Sequence, residues 1–195
     1  MNRRTLSLPT LLLAALMACT AGSLRADALD GLLEVRSAYM ALENGVYQLF
    51  ARVDYPVNED IRAALKDGLT LTFDLDVIVA RERRFWVDDD LANYTLHREL
   101  VYHAVSDRYL TRDIDPRASM QQHSYATLEE ALEALGTVDA WPVLVASQLA
   151  ANREYRVSLR AGVRRGRLPD TLRVLLFWTD DWHRESEWFS WSLPR

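Results

Sequence analysis

The stretch "LTLTFDLDVIVA" at residues 69–80 narrows the choice of fold more than any other part of the chain. Leu69, Leu71, Phe73, Leu75, Val77 and Val79 take every second position, and Thr70, Thr72, Asp74 and Asp76 lie between them. Side chains share a face at every second residue only in a strand, whereas a helix would spread these apolar groups around its circumference. The run predicts a half-buried strand, in a sheet with a core on one face and water on the other.

The neighbouring segments point the same way. "LLEVRSAYMALENGVYQLFARVDY" is two alternating runs around Asn44-Gly45, and Asn-Gly favours a two-residue hairpin because both residues tolerate positive φ. After a loop containing "VDDD" (87–90), residues 92–106 alternate again, and "RYLTRDI" begins a further strand. "EYRVSLRAGV" places Tyr155, Val157 and Leu159 inward, and the chain closes on "SEWFSW". Three segments read as short helices. "NEDIRAALKDG" has Asn58 as N-cap, Ile61, Ala64 and Leu65 on one face, and Gly68 as the stop. "ATLEEALEALG" has a capping box of Thr127 and Glu130, a stripe of Leu128, Ala131, Leu132 and Leu135, and Gly136 as its end. "LPDTLRVLLF" carries Pro169 in its first turn. Strands joined by local hairpins rather than by crossover helices predict a mainly β fold, an antiparallel β-sandwich-like sheet with two or three short α-helices. The alternative class is α+β.

Arg3 and Arg4, the apolar run over residues 6–18 and the small residues after it have the layout of an export signal, too short to span a bilayer. We therefore expect residues 1–26 to form a signal and short tether, residues 27–195 a single β-rich domain, and the mature chain to have no transmembrane helix. Cys19 is the only cysteine, which excludes an intramolecular disulfide. In "LMAC" it resembles the lipidated cysteine of bacterial lipoproteins, which would anchor the protein at the outer membrane; ordinary cleavage after Ala26 or Ala21 would leave it free in the periplasm. The formal charge of −5, with Lys66 as the only lysine, argues against nonspecific nucleic-acid binding.

Four groups of residues are candidate sites. Trp178, Trp182 and Trp188, with Asp180 and Asp181, form a possible ligand platform suited to stacking on sugar rings, although large aromatics at strand spacing more often build a core. In that terminal strand Glu185, Glu187, Phe189, Trp191 and Leu193 are expected on one face, and Ser186, Trp188, Ser190 and Ser192 on the other. Asp74 and Asp76 face the same way as His97, Glu99 and His103 on the following strand. A hairpin turn over residues 86–91 would set His103 opposite Asp74 or Asp76, and Asp74, Asp76 and His103 are then the metal candidates; a solvated, ion-paired face has the same pattern. Arg160, Arg164, Arg165 and Arg167 belong to the one basic region and could meet an anionic partner, or simply pair with the surplus acids. Cys19 is the lipidation candidate. A glycine-flanked serine elbow and a phosphate-cradling loop are missing, so neither catalytic residues nor a cofactor is expected.

"DWHRESEWFSW", "NGVYQLFARVDY", "LEEALEALG" and "YRVSLRA" together resemble an exported proteobacterial family known as domain of unknown function 4390, over most of the chain after the leader. The most specific part is Asp181, Trp182, Ser186, Glu187 and Trp188. The resemblance implies no activity, cofactor or catalytic residue. It implies genes placed near a sensor histidine kinase, hence a link to envelope sensing. The sequence reads as a non-catalytic cell-envelope protein that binds an unknown protein or membrane partner; the alternative is a metal- or carboxylate-dependent hydrolase acting on cell-wall material.

Overall fold

The computed structural model describes residues 33–81, 89–114, 121–166 and 183–193. These form ten strands: β1 (Glu34–Glu43), β2 (Val46–Asp54), β3 (Leu71–Arg81), β4 (Asp89–His103), β5 (Arg108–Asp113), β6 (Gln122–Tyr125), β7 (Thr137–Val145), β8 (Tyr155–Arg165), β9 (His183–Glu185) and β10 (Phe189–Ser192). Two helices interrupt them, α1 (Glu59–Lys66) after β2 and α2 (Leu128–Gly136) before β7. The strands build two antiparallel sheets, a small one ordered β1-β2-β7 and a large one ordered β10-β8-β3-β4-β5-β6, with β9 also on β8. The fold is mainly β and sandwich-like, as the alternation predicts.

Local chemistry explains the first hairpin turn and the N-caps of both helices. Asn44 (φ 50°) and Gly45 (φ 79°) both adopt the left-handed conformation that closes the β1–β2 hairpin. Asn58 caps α1 by accepting from the Ile61 N–H at 2.8 Å, and Thr127 and Glu130 cap α2 reciprocally. The third helix expected from Pro169 lies outside the described residues.

The core lies between the inward faces. Phe73, Leu75, Val77 and Val79 of β3 meet Val157, Leu159, Ala161 and Val163 of β8, while Met40, Leu49, Ala51 and Val53 come from the small sheet. Ile61 and Leu65 of α1, and Leu128, Ala131, Leu132 and Leu135 of α2, join the same cluster. Gly136 ends α2, as expected from the sequence: it is the last helical residue, and the chain passes straight into β7 through an extended Thr137. Its lack of a side chain serves packing: a Cβ there would stand 2.0 Å from the Val53 carbonyl oxygen.

Arg98 and Tyr55 bring polar groups into this interior. Arg98 lies on the inward face of β4, opposite Phe73, and its guanidinium donates to the carbonyls of Leu135 and Thr137, where α2 becomes β7. Burial lowers the pKa of Arg98. Tyr55 packs edge-on against Phe73, with ring centroids 4.7 Å apart. Its buried hydroxyl has no hydrogen-bond partner among the described residues, and burial pushes its pKa up to about 12.

A raised tyrosine pKa favours the folded state only while the phenol stays protonated. That contribution is complete below pH ~10, where an unfolded tyrosine begins to ionise, and it disappears as pH rises towards 12. Tyr55→Phe is therefore expected to match or exceed the wild-type stability at pH 7, because it removes an unmet hydroxyl. Between pH 10 and 12 it should lose about 2–3 kcal/mol less than wild type. Urea denaturation of both proteins at pH 8 and pH 11 measures this, and equal losses would show that Tyr55 does not govern the alkaline limb.

Candidate functional site

The outer face of the large sheet collects the polar residues that alternate with the core. Asp74 lies in register between His97 of β4 and Gly162 of β8, and Asp76 between Thr95 and Arg160. His97 Nδ1 and Asp74 Oδ1 are 2.5 Å apart, and Arg164 Nε donates to the other Asp74 oxygen at 2.6 Å. Asp76 accepts from Thr95 Oγ1 at 2.7 Å and from Arg160 at 3.1 Å. Arg160 reaches further, to Glu185 at 2.5 Å, and His183 lies 3.5 Å from the second Glu185 oxygen. Nearby, Arg112 donates to Glu99 at 2.5 Å. The face is a chain of ion pairs, each contributing only some tenths of a kcal/mol up to ~1 kcal/mol in partial solvent.

This arrangement corrects two expectations. β3 runs to Arg81 and β4 begins at Asp89, with Arg81 opposite Asp89, so the pairing is shifted from the one a turn over 86–91 would give. That shift makes His97 the partner of Asp74, and His103 instead stands opposite Arg108 at the β4–β5 turn, beside Ser106. Asp74, Asp76 and His103 are thus not brought together, and among the described residues no group of three or more His, Cys, Asp or Glu is placed to hold a metal ion. The arginines are likewise divided. Arg160 and Arg164 are engaged by carboxylates on the outer face, while Arg165, opposite Leu71, falls on the other side of β8. Arg167, Cys19, Trp178, Trp182, Asp180 and Asp181 lie outside the described residues.

Trp188 owes its position to an irregularity in the edge strand. Glu185 faces Gly162 and Phe189 faces Leu159, so β9–β10 takes four steps where β8 takes three. The additional residue reverses the parity of the strand. Glu185 is therefore on the wet face although Phe189, Trp191 and Leu193 pack on the core, and the expected common face for these four residues is broken. Ser186 is buried at the kink. Its N–H donates to the Ala161 carbonyl at 2.8 Å, and its Oγ accepts from the Ala161 N–H at 3.0 Å, replacing a strand carbonyl. The kink leaves Trp188 43% exposed, with the Arg160 guanidinium 4.6 Å from its ring centroid. Since Arg160 is itself held by Asp76 and Glu185, the ion-pair chain orients this ring.

Beside Trp188 a cavity of 330 Å³ opens between the start of β1 and the kink. Leu33, Val35, Phe189 and Trp188 supply its apolar wall, and Glu34, Ser186 and Glu187 its polar part. The lining from β1 was missed at the sequence level, since Leu33 and Val35 stood only as members of an alternating run and nothing local tied them to residue 188.

A family model described as a domain of unknown function, DUF4390, matches residues 32–192. The chain belongs to the DUF4390 family. The DUF4390 match ends at Ser192, the last residue of β10, so it takes in both sheets and every residue of the cavity. Comparison of the chain with curated proteins and with solved structures found no match. Among the described residues of this DUF4390 protein, no helix is long and apolar enough to cross a membrane.

Proposed function

We propose that this DUF4390 protein is a non-catalytic binding module of the bacterial cell envelope, exported by its leader and linked through a protein or membrane partner to envelope sensing. The observation that carries the proposal is the exposed Trp188, oriented over an open apolar cavity by a chain of ion pairs. An aromatic ring fixed at a concave edge supplies contact area at little entropic cost, which suits binding. The Asp74 and Asp76 carboxylates, by contrast, are held by arginines, His97 and Thr95. Export is supported by the leader and a membrane tether by Cys19.

Cross-linking the full chain in cells and recovering it from the envelope fraction tests the proposal, with mass spectrometry of the mature N-terminus made on the same sample. A stoichiometric envelope partner is expected, together with either a diacylated Cys19 or a clean signal cleavage. Release of soluble fragments from purified cell-wall sacculi by the protein alone would replace the binding reading with a hydrolase.

A further inference from the structure

We infer that the cavity beside Trp188 binds an extended segment of a partner protein that presents an apolar side chain next to a lysine or arginine. The inference rests on the binding-module reading and assigns that module its ligand chemistry. Shape and composition come first. At 330 Å³ the cavity is at the small end of ligand sites, large enough for one or two side chains, and Leu33, Val35 and Phe189 give it an apolar floor. Trp188, with Arg160 against its ring, borders the opening.

Charge then selects the occupant. Glu34 and Glu187 line the same cavity, both are exposed, and neither has an ion-pair partner among the described residues. This sets them apart from Asp74, Asp76, Glu99 and Glu185 on the neighbouring sheet face, each of which is matched by an arginine. Arg36, the basic residue closest to Glu34 along the chain, is bonded to Asp54 and meets Glu34 only through space, as the weakest of its interactions. The cavity therefore combines an apolar floor with two exposed carboxylates that no ion pair among the described residues holds, complementary to a cation beside an apolar group. The backbone geometry agrees with an extended ligand: β1 and β9–β10 each have one side without a partner among the described strands, and the cavity lies between them.

The test follows the tryptophan indole N–H signals of the full chain by NMR during titration with acetyl-Leu-Arg-Leu-Arg-amide. The same peptide with glutamate in place of arginine, and a chito-oligosaccharide, are titrated in parallel. The basic peptide is expected to shift the Trp188 signal saturably, with affinity that falls as salt is added. Trp188→Ala and the double variant Glu34→Gln, Glu187→Gln should each weaken binding about tenfold. All three positions are exposed, and unchanged signals elsewhere will show that the variants are folded. Equal binding of the acidic peptide, a Trp188 shift by the oligosaccharide alone, or no shift by any probe would overturn the assignment. An envelope partner still recovered with the double variant would overturn this site while leaving the binding function standing.

Discussion

Gly136→Ala is expected to destabilise the protein by about 3 kcal/mol or more, the upper part of the range for overpacking a dense interior. The new methyl would stand 2.0 Å from the Val53 carbonyl oxygen and 3.2 Å from its carbon. Both are main-chain atoms of β2, a central strand paired on both sides, so neither can withdraw without disturbing the pairing of Val53 with Val35 or of Arg52 with Thr137. Gly136 itself cannot move away, because the chain turns from α2 into β7 at the next residue. Urea denaturation measures the effect. A midpoint equal to wild type would mean that helix and sheet can slide apart by more than an ångström at no cost.

Arg98→Ala is expected to cost about 3 kcal/mol, from losing hydrogen bonds made by a charged donor. Its guanidinium serves the Leu135 and Thr137 carbonyls, which close the C-terminal end of α2 where no glycine cap exists. The opposing effect is desolvation, which lowers the Arg98 pKa and which a neutral replacement would relieve. The comparison that decides is Arg98→Met, with similar apolar reach and no donors. If the two hydrogen bonds outweigh desolvation, Met is destabilised and the α2 amides exchange hydrogen faster; a Met variant as stable as wild type would show that the arginine is merely tolerated. Arg98→Lys should fall between, since an ammonium lacks the planar fork that reaches both carbonyls.

Much of this architecture was legible in the sequence because it depends on local rules. Asn44-Gly45, the Asn58 cap, the Thr127–Glu130 box and the inward set of Tyr155, Val157 and Leu159 need only the residues around them. What was not legible depends on register or on distant contacts. β7 carries Ala140 at φ 54°, Pro142 and two register shifts against β2, which destroy the even alternation that marks a strand. β6 is four residues long and mostly exposed. The position of the β3–β4 turn decided whether His97 or His103 met Asp74, and the strand pattern alone allowed both. The kink at 186–188 inverted half of a strand whose alternation looked continuous. One signal was available: Arg98 stands between Leu96 and Leu100 in an inward row, and a charge there calls for buried acceptors.

The central position of β3 has a consequence for how the chain acquires its structure. Its partner β4 follows it directly, but its other partner, β8, is joined to it by three further strands and a helix, with Leu71 facing Arg165 and Arg81 facing Tyr155. β2 waits similarly for β7. Closing such long loops must precede the contacts that reward it, so folding is expected on the millisecond-to-second scale typical of high contact order rather than in microseconds. Until β8 arrives, the Leu-, Phe- and Val-rich edge of β3 is open to any other strand, including the same segment of a second chain. A β3–β4 pair formed before β8 would leave this edge open, and a factor that shields it during synthesis would raise the yield of folded protein more than one that hastens local turns.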